Sequence, residues 1–425
     1  MAMYELQDLV SRVRQSSPFY REYYSALPNK ITIRDLPILD QTKFWQANTI
    51  RDNCVLTGPM HDGVVFFSGG TTGNPKFSIF SRDEFTEFTR TFGTGMAASG
   101  LRAGDRVANL FRAGQLYASF MIMSKSFELG PEPVLQFPIT ATTPHPEALK
   151  VIRDFDVDVI AGFVTSVINL ADYYDANRES YPSINIRKIF YTGEGVYPDQ
   201  RASLERIFPG VKILSLGYAS VDAGMLGHAD PSCGPNEHRP FAQQTVFEIV
   251  DEDTEEPIDE PDRPGKVIIT NLTRLLMPIV RYPVGDRAMW VESGTAPNRK
   301  FRLLGRSGEA ARLASENIYY DDLRALLDKF RERLGISNYQ IVLSRRDGID
   351  LMILRVAAAA PRDVLTNETF AIVEEIYQAR PGIRDLVKAR RSHPPEIEWV
   401  NASELYINDR TGKLKRIIDN KGLVG

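Results

Sequence analysis

The chain has 425 residues, a formal net charge of −4, and 43% hydrophobic and 25% charged residues. That length allows two domains with a sizeable core, and the ordinary composition excludes a disordered chain. The near-balanced charge gives no general nucleic-acid footprint, and no apolar run approaches the roughly 18 residues of a membrane span.

In chain order, Leu6, Leu9, Val10 and Val13 recur at helical spacing and predict a helix over residues 4–24, closed by Pro28. The opening residues lack the apolar segment of a secretory signal, so a cytoplasmic setting is expected. Cys54 and Cys233 are too few for a disulfide framework and are expected to be reduced. The stretch VVFFSGGTTGNPKF, residues 64–77, then joins an apolar run to a loop of glycines, hydroxyl residues, a proline and a lysine.

From Val107 onward, the apolar runs DVDVIAGF, KIFYTGEG and VKILSLGY alternate with the helix-like segments PHPEALKVIRDF and YPDQRASLERIF. This is the rhythm of an α/β fold with parallel strands. After His238 the runs TVFEIVDEDTEEPI, GKVIITNL and RAMWVESG predict a smaller mixed sheet beside the first. Near Arg306 an α+β segment begins, with helices at 320–333 and 366–378 around a strand pair in YQIVLSRRDGIDLMILRV. The predicted domains are therefore 1–305 and 306–425.

The loop at 68–76 carries its own chemistry. Gly69, Gly70 and Gly73 can bring backbone N–H groups close to a ligand, Ser68, Thr71 and Thr72 add hydroxyls, and Lys76 adds a cation. These are the parts of a phosphate or oxyanion cradle; a plain glycine-rich turn between strands is the alternative. The spacing is not GxxxxGK[ST], which disfavours a P-loop nucleotidase.

SGGTTGNPK resembles the phosphate loop of the adenylate-forming superfamily, [ST]-[SG]-G-[ST]-T-G-x-P-K, at every constrained position. Further segments follow in the family's order. YTGEG (191–195) resembles its adenine-binding segment, LGYASVD (216–222) sits where the family has YG-x-[ST]-E, and PIVRYPVGD (278–286) resembles the segment ending in a ribose-binding aspartate. LLGRSGE (303–309) resembles the hinge, and TGKLKR (411–416) the loop of the catalytic lysine. SPFY with ITIRDLPILDQTKF near the start, and ELYINDRTGKLKRIID near the end, are similar to the phenylacetate–CoA ligase-like branch.

The resemblance implies a large N-terminal adenylate-forming domain with parallel and mixed sheets and a smaller, mobile α+β C-terminal domain. It also implies an ATP-dependent, AMP-forming ligase that turns an aryl or short acyl acid into an acyl-adenylate, with Mg2+ as cofactor and coenzyme A as acceptor. An amine or a carrier-protein thiol are alternative acceptors, and assembly as a homodimer is left open. The rival of another class is a regulatory nucleotide-binding protein without turnover, against which Lys413 argues.

Residue by residue, the resemblance makes Lys413 the catalytic lysine, with Lys415 as its near competitor. ATP or AMP would be held by Ser68, Gly69, Gly70, Thr71, Thr72, Gly73, Lys76, Gly193, Glu194, Gly195, Tyr218, Asp286 and Arg306. Tyr218 would stack on adenine, although a core tyrosine is the alternative, and Asp286 would accept the ribose hydroxyls. The family's magnesium-associated glutamate is replaced by Asp222, and its preceding hydroxyl residue by Val221; Ser220 is the nearest substitute. Gly308 falls at the hinge.

His228, Cys233 and His238 recur every five residues but lack the paired spacings of a zinc site, so a structural loop is expected, with His238 toward the acid pocket. Phe111, Tyr117, Phe120, Phe137, Ala219 and Met225 are candidate pocket walls, and core packing explains each as well. Ala314 and Ser315 stand where the pattern has Arg-Gly beside the pantetheine channel. This predicts weak thioester formation with coenzyme A and a preference for an amine or a carrier-bound acceptor.

Overall fold

The computed structural model describes residues 3–28, 30–68, 76–193, 195–196, 198–296, 298–306, 310–314, 316–407 and 414–421. The chain divides into two compact units, Met1–Leu304 and Gly305–Gly425.

In the first unit, five parallel strands lie in the order Leu135–Phe137, Arg106–Asn109, Val159–Gly162, Lys188–Tyr191, Lys212–Ser215. Their near-continuous apolar character follows from burial on both faces. Val159 and Ala161 join one core cluster while Ile160 joins another, and Phe190 is likewise separated from Ile189 and Tyr191. This is the two-residue alternation of a strand. Helices His145–Asp154, Val164–Ala176 and Pro198–Ile207 connect successive strands.

The β-rich part is larger than predicted. Its sheet has seven strands, in the order Thr245–Val250, Gly265–Asn271, Tyr282–Trp290, Phe301–Arg306, Glu237–Pro240, Gly224–His228, Tyr218–Ser220. Phe301–Arg306 and the last three were missed, the last three because they are short and lack a clean alternation of apolar and polar residues.

The predicted N-terminal helix is two helices, Leu6–Ser16 and Pro18–Tyr23. Pro18 disfavours a helical backbone at Ser17, which is extended, and the Ser17 hydroxyl caps the second helix by accepting the Tyr20 N–H at 3.3 Å. Leu9, Val10, Val13, Tyr20 and Tyr24 pack with Ile249, Val267, Ile269 and Trp290 of the seven-stranded sheet.

In the second unit, strands Glu396–Val400, Ile349–Ala358, Ile336–Arg346 and Ile417–Asp419 form one mixed sheet in that order. Helices Tyr320–Leu334, Arg362–Ala379 and Pro381–Lys388 share a core with it, and Ala310–Leu313 pairs with Glu316–Tyr319 as a separate hairpin. Among the described residues no helix is long and apolar enough to cross a membrane.

Candidate active site

The predicted phosphate loop springs from a hairpin. Strands Val64–Ser68 and Lys76–Phe80 pair from Val64 opposite Phe80 to Ser68 opposite Lys76, and Phe66 and Phe80 anchor them in the core. Gly69, Gly70, Thr71, Thr72 and Gly73 lie outside the described residues. The Lys76 ammonium sits 5.1 Å from the centre of the Trp45 ring.

Helix Arg82–Ser99 follows, capped by Ser81 and Glu84 in a reciprocal capping box. Glu84 is buried, and its other oxygen accepts the backbone N–H groups of Leu275 (2.7 Å) and Leu276 (2.8 Å).

Beside these groups lies Arg274, 1% exposed. It donates to the Ile79 carbonyl at 2.8 Å and to the Asp222 carbonyl, with its guanidinium 3.9 Å from the centre of the Phe80 ring. Burial pulls its pKa down to about 10, against the support of Glu84 and Asp222, so it stays charged at neutral pH. One buried cation thus ties the loop-bearing hairpin to the Asp222 turn.

The Asp222 carboxylate accepts hydrogen bonds from Ser78 Oγ (3.1 Å) and Tyr282 Oη (3.4 Å), and Tyr282 Oη in turn accepts from Trp45 Nε1 (3.3 Å). Carboxylate oxygens are the hard donors that magnesium takes, so Asp222 fits as a single ligand beside nucleotide phosphates. Ser220 Oγ accepts from the Asp222 and Ala223 N–H groups at 3.3 and 3.4 Å, so it shapes the turn.

Four residues before Asp222, Tyr218 donates to Asp286 Oδ2 at 2.5 Å. The half-buried Tyr218 ring lies against His238 and Phe301, with centres 6.2 and 6.0 Å away. Gly217, at φ 130°, sets up this approach: a Cβ there would stand 2.9 Å from the Gly227 carbonyl oxygen. Gly193 is exposed; a Cβ on Gly195 would come within 3.0 Å of Asn236 Oδ1, while Glu194 lies outside the described residues.

His238 is buried and meets Ser215 Oγ through Nε2 at 3.0 Å. Burial drags its pKa down to about 4, opposed by the Asn236 backbone, so the ring is neutral near pH 7. His228 instead faces the Ala229 carbonyl, and the Cys233 thiol faces Asp230. Among the described residues no group of three or more His, Cys, Asp or Glu is placed to hold a metal.

Phe111 and Met225 are buried in one core cluster, with Tyr117, Phe120 and Ala219 packed against it. Phe137 joins a different cluster, so it is not grouped with the other five candidate walls.

Ser68 and Arg306 are strand residues described by their backbone alone. Gly308, Ser315 and Lys413 lie outside the described residues. An antiparallel bridge between Ile407 and Leu414 brackets the segment containing Lys413. The Lys415 backbone is tied on both sides, its N–H to the Tyr406 carbonyl at 3.0 Å and its carbonyl to Gln340 Nε2 at 2.7 Å.

Sequence reasoning missed Trp45, Ser78, Glu84, Arg274 and Tyr282. Arg274 left one signal, a cation inside the apolar run NLTRLLMPIV. Arg281, the residue after that run, is a buried structural ion that pairs with Glu248 at 3.2 Å and also donates to the Leu36 carbonyl.

No family model matches the chain. A phenylacetate-coenzyme A ligase of Thermus thermophilus is 23% identical over 431 residues, spanning 97% of this chain and 94% of its own. An indoleacetate–lysine synthetase of Pseudomonas savastanoi is 27% identical over 258 residues, 60% of this chain and 59% of its own. Among solved structures, a 2-hydroxyisobutyryl-CoA ligase in complex with R3-HIB-AMP superposes with a TM-score of 0.74 at 18% identity, covering 98% of this chain and 90% of that one. In sequence and in fold, then, the chain is similar to the adenylate-forming ligases, and within them to the phenylacetate–CoA ligase branch.

Proposed function

We propose that the protein is an ATP-dependent, AMP-forming ligase. A carboxylate oxygen of an aryl or short acyl acid attacks the α-phosphorus of ATP, the bond to the bridging oxygen breaks, and acyl-adenylate and pyrophosphate result. The acyl group then passes to the thiol of coenzyme A, as the name of the Thermus relative suggests, or to an amine, as that of the synthetase does. A carrier-protein thiol is a third acceptor of the same chemistry.

The observation that carries this reading is the pair of ties between residues 218–222 and 282–286 beside the loop-bearing hairpin. Asp286, oriented by the Tyr218 hydroxyl, would accept the ribose hydroxyls. Tyr218 presents its ring to adenine, and the backbone of Gly193, Glu194 and Gly195 borders the base. Ser68, Gly69, Gly70, Thr71, Thr72, Gly73 and Lys76 cradle the phosphates, and Arg306 adds a polar contact. Asp222 would hold magnesium, which when bound disperses phosphate charge. Lys413 meets the charge that develops at the α-phosphate.

Residues 1–305 would then form the adenylating domain and 306–425 the lid domain, with Gly308 absorbing backbone rotation between half-reactions. A cytoplasmic enzyme is the matching setting.

A screen of carboxylic acids for acid-dependent pyrophosphate release, with mass spectrometry of products formed with coenzyme A, lysine or neither, tests the reading. An acyl-adenylate without acceptor is expected. ATP binding with no pyrophosphate release across aryl and short acyl acids would point to the regulatory protein instead.

A further inference from the structure

Trp45 sits between Lys76 and the Tyr282–Asp222 pair. The Lys76 ammonium lies 5.1 Å from the centre of its ring, and its Nε1–H donates to Tyr282 Oη at 3.3 Å. Tryptophan is suited to both contacts, since indole is the strongest aromatic face toward a cation and its nitrogen only donates. A phenol has a single proton. With its oxygen accepting from Trp45, Tyr282 turns that proton toward Asp222 Oδ2 at 3.4 Å.

The helix that carries Trp45, Gln41–Ala47, is short and fastened at both ends. Asp40 caps it by accepting the Thr42 and Lys43 N–H groups at 2.9 and 3.1 Å. At its start the Leu39 N–H donates to the Arg281 carbonyl at 2.9 Å and Gln41 Nε2 donates to the Pro283 carbonyl, one residue to either side of Tyr282. At its end buried Asn48 donates through Nδ2 to the Phe77 carbonyl at 2.9 Å, one residue past Lys76. Phe44 is fully buried, its ring centre 5.0 Å from that of Trp45 and 6.1 Å from that of Tyr282. The indole is thereby set against both neighbours by main-chain ties to the two strands that bear them.

We propose that Trp45 is a positioning residue for the nucleotide phosphates, its ring holding the Lys76 ammonium and its N–H keeping the Tyr282–Asp222 pair in line. A lysine stem loses rotamer freedom when its ammonium is fixed on an anion. A ring that already confines the ammonium removes part of that cost and leaves the N–H bonds facing away from it for phosphate oxygens. The inference rests on the nucleotide site proposed above and adds to it a residue that acts through Lys76 and Asp222.

Calorimetric titration of the full chain with α,β-methylene ATP, which binds without cleavage at the α-phosphate, tests it in a double-mutant cycle of Trp45→Leu and Lys76→Met without magnesium. In the wild-type background Trp45→Leu should weaken binding about fivefold, the worth of one cation–π contact of roughly 1 kcal/mol. In the Lys76→Met background it should weaken binding less than about twofold. A purely structural loss would be the same in both backgrounds. Trp45→Phe keeps a ring and removes the N–H, so it should recover most of the magnesium-free affinity but gain at least about threefold less from added Mg2+ than the wild type, a fraction of one hydrogen bond's worth. Where Trp45→Leu is too unstable to titrate, the magnesium response of Trp45→Phe decides alone. Equal losses from Trp45→Leu with and without Lys76, tighter binding by Trp45→Leu, or a wild-type magnesium response in Trp45→Phe would overturn the proposal while leaving the nucleotide site in place. Failure of the wild type to bind the analogue would remove the nucleotide site and the role of Trp45 with it.

Discussion

The Tyr218 hydroxyl donates to Asp286 at 2.5 Å, and four residues on in the first segment and four back in the second the roles reverse, with Tyr282 donating to Asp222. Each segment supplies one phenol and one carboxylate. If Asp286 serves ribose, Tyr218 orients it. Tyr218→Phe keeps the ring and removes the hydroxyl, so the KM for ATP should rise about fivefold, the worth of one ordinary hydrogen bond of roughly 1 kcal/mol. Asp286→Ala should cost more than tenfold, on the order of a charged hydrogen bond. Unchanged KM values in pyrophosphate-release assays of both variants would remove these residues from the nucleotide site.

Arg274→Met should destabilise the first unit by about 2–4 kcal/mol, because it strands the buried carbonyls of Ile79 and Asp222 without a donor. Arg274→Lys keeps a cation but not the fork and should recover part of the loss. Urea midpoints of the three proteins measure this, and a loss below about 0.5 kcal/mol, the level of an ordinary surface substitution, would contradict it.

Lys413→Ala should slow adenylation by more than about 100-fold, roughly 2.7 kcal/mol of transition-state stabilisation, while ATP binding persists. Lys415→Ala should retain activity. The reverse pattern would move the catalytic role two residues along.

His238 gives a pH signature. Its folded pKa of about 4 lies below the ordinary 6.5, so between those values the unfolded chain binds the extra proton. The histidine's contribution is therefore complete above pH 6.5 and declines as pH falls toward 4, by at most about 3 kcal/mol. His238→Gln should flatten that part of the stability curve. Parallel wild-type and variant curves between pH 4 and 7 would show that the buried ring does not titrate this way.

The parallel sheet was legible because strands buried on both faces read as short apolar runs, such as the one containing Val159, Ile160 and Ala161. The helix break at Ser17 was not, since apolar spacing continues across it and Pro18 alone interrupts the backbone. The site divides in the same manner. A contiguous motif such as SGGTTGNPK declares itself, whereas Arg274 meets Ile79 across 195 positions and bonds to main-chain oxygens, which carry no residue-type signature. Glu84 was hidden for the same reason, its second oxygen being spent on the Leu275 and Leu276 backbone.

Arg274 and the Arg390–Arg391 pair place positive charge in opposite relations to the solvent. Mobile ions screen charges at the surface over about 10 Å at 0.1 M, and they have no access to a guanidinium sealed between an aromatic ring and two carbonyls. Raising ionic strength should thus weaken the field of the Arg390–Arg391 pair while leaving the anchorage of the hairpin intact. The protein would behave toward salt as two materials, one an electrolyte-sensitive surface and the other an insulated joint.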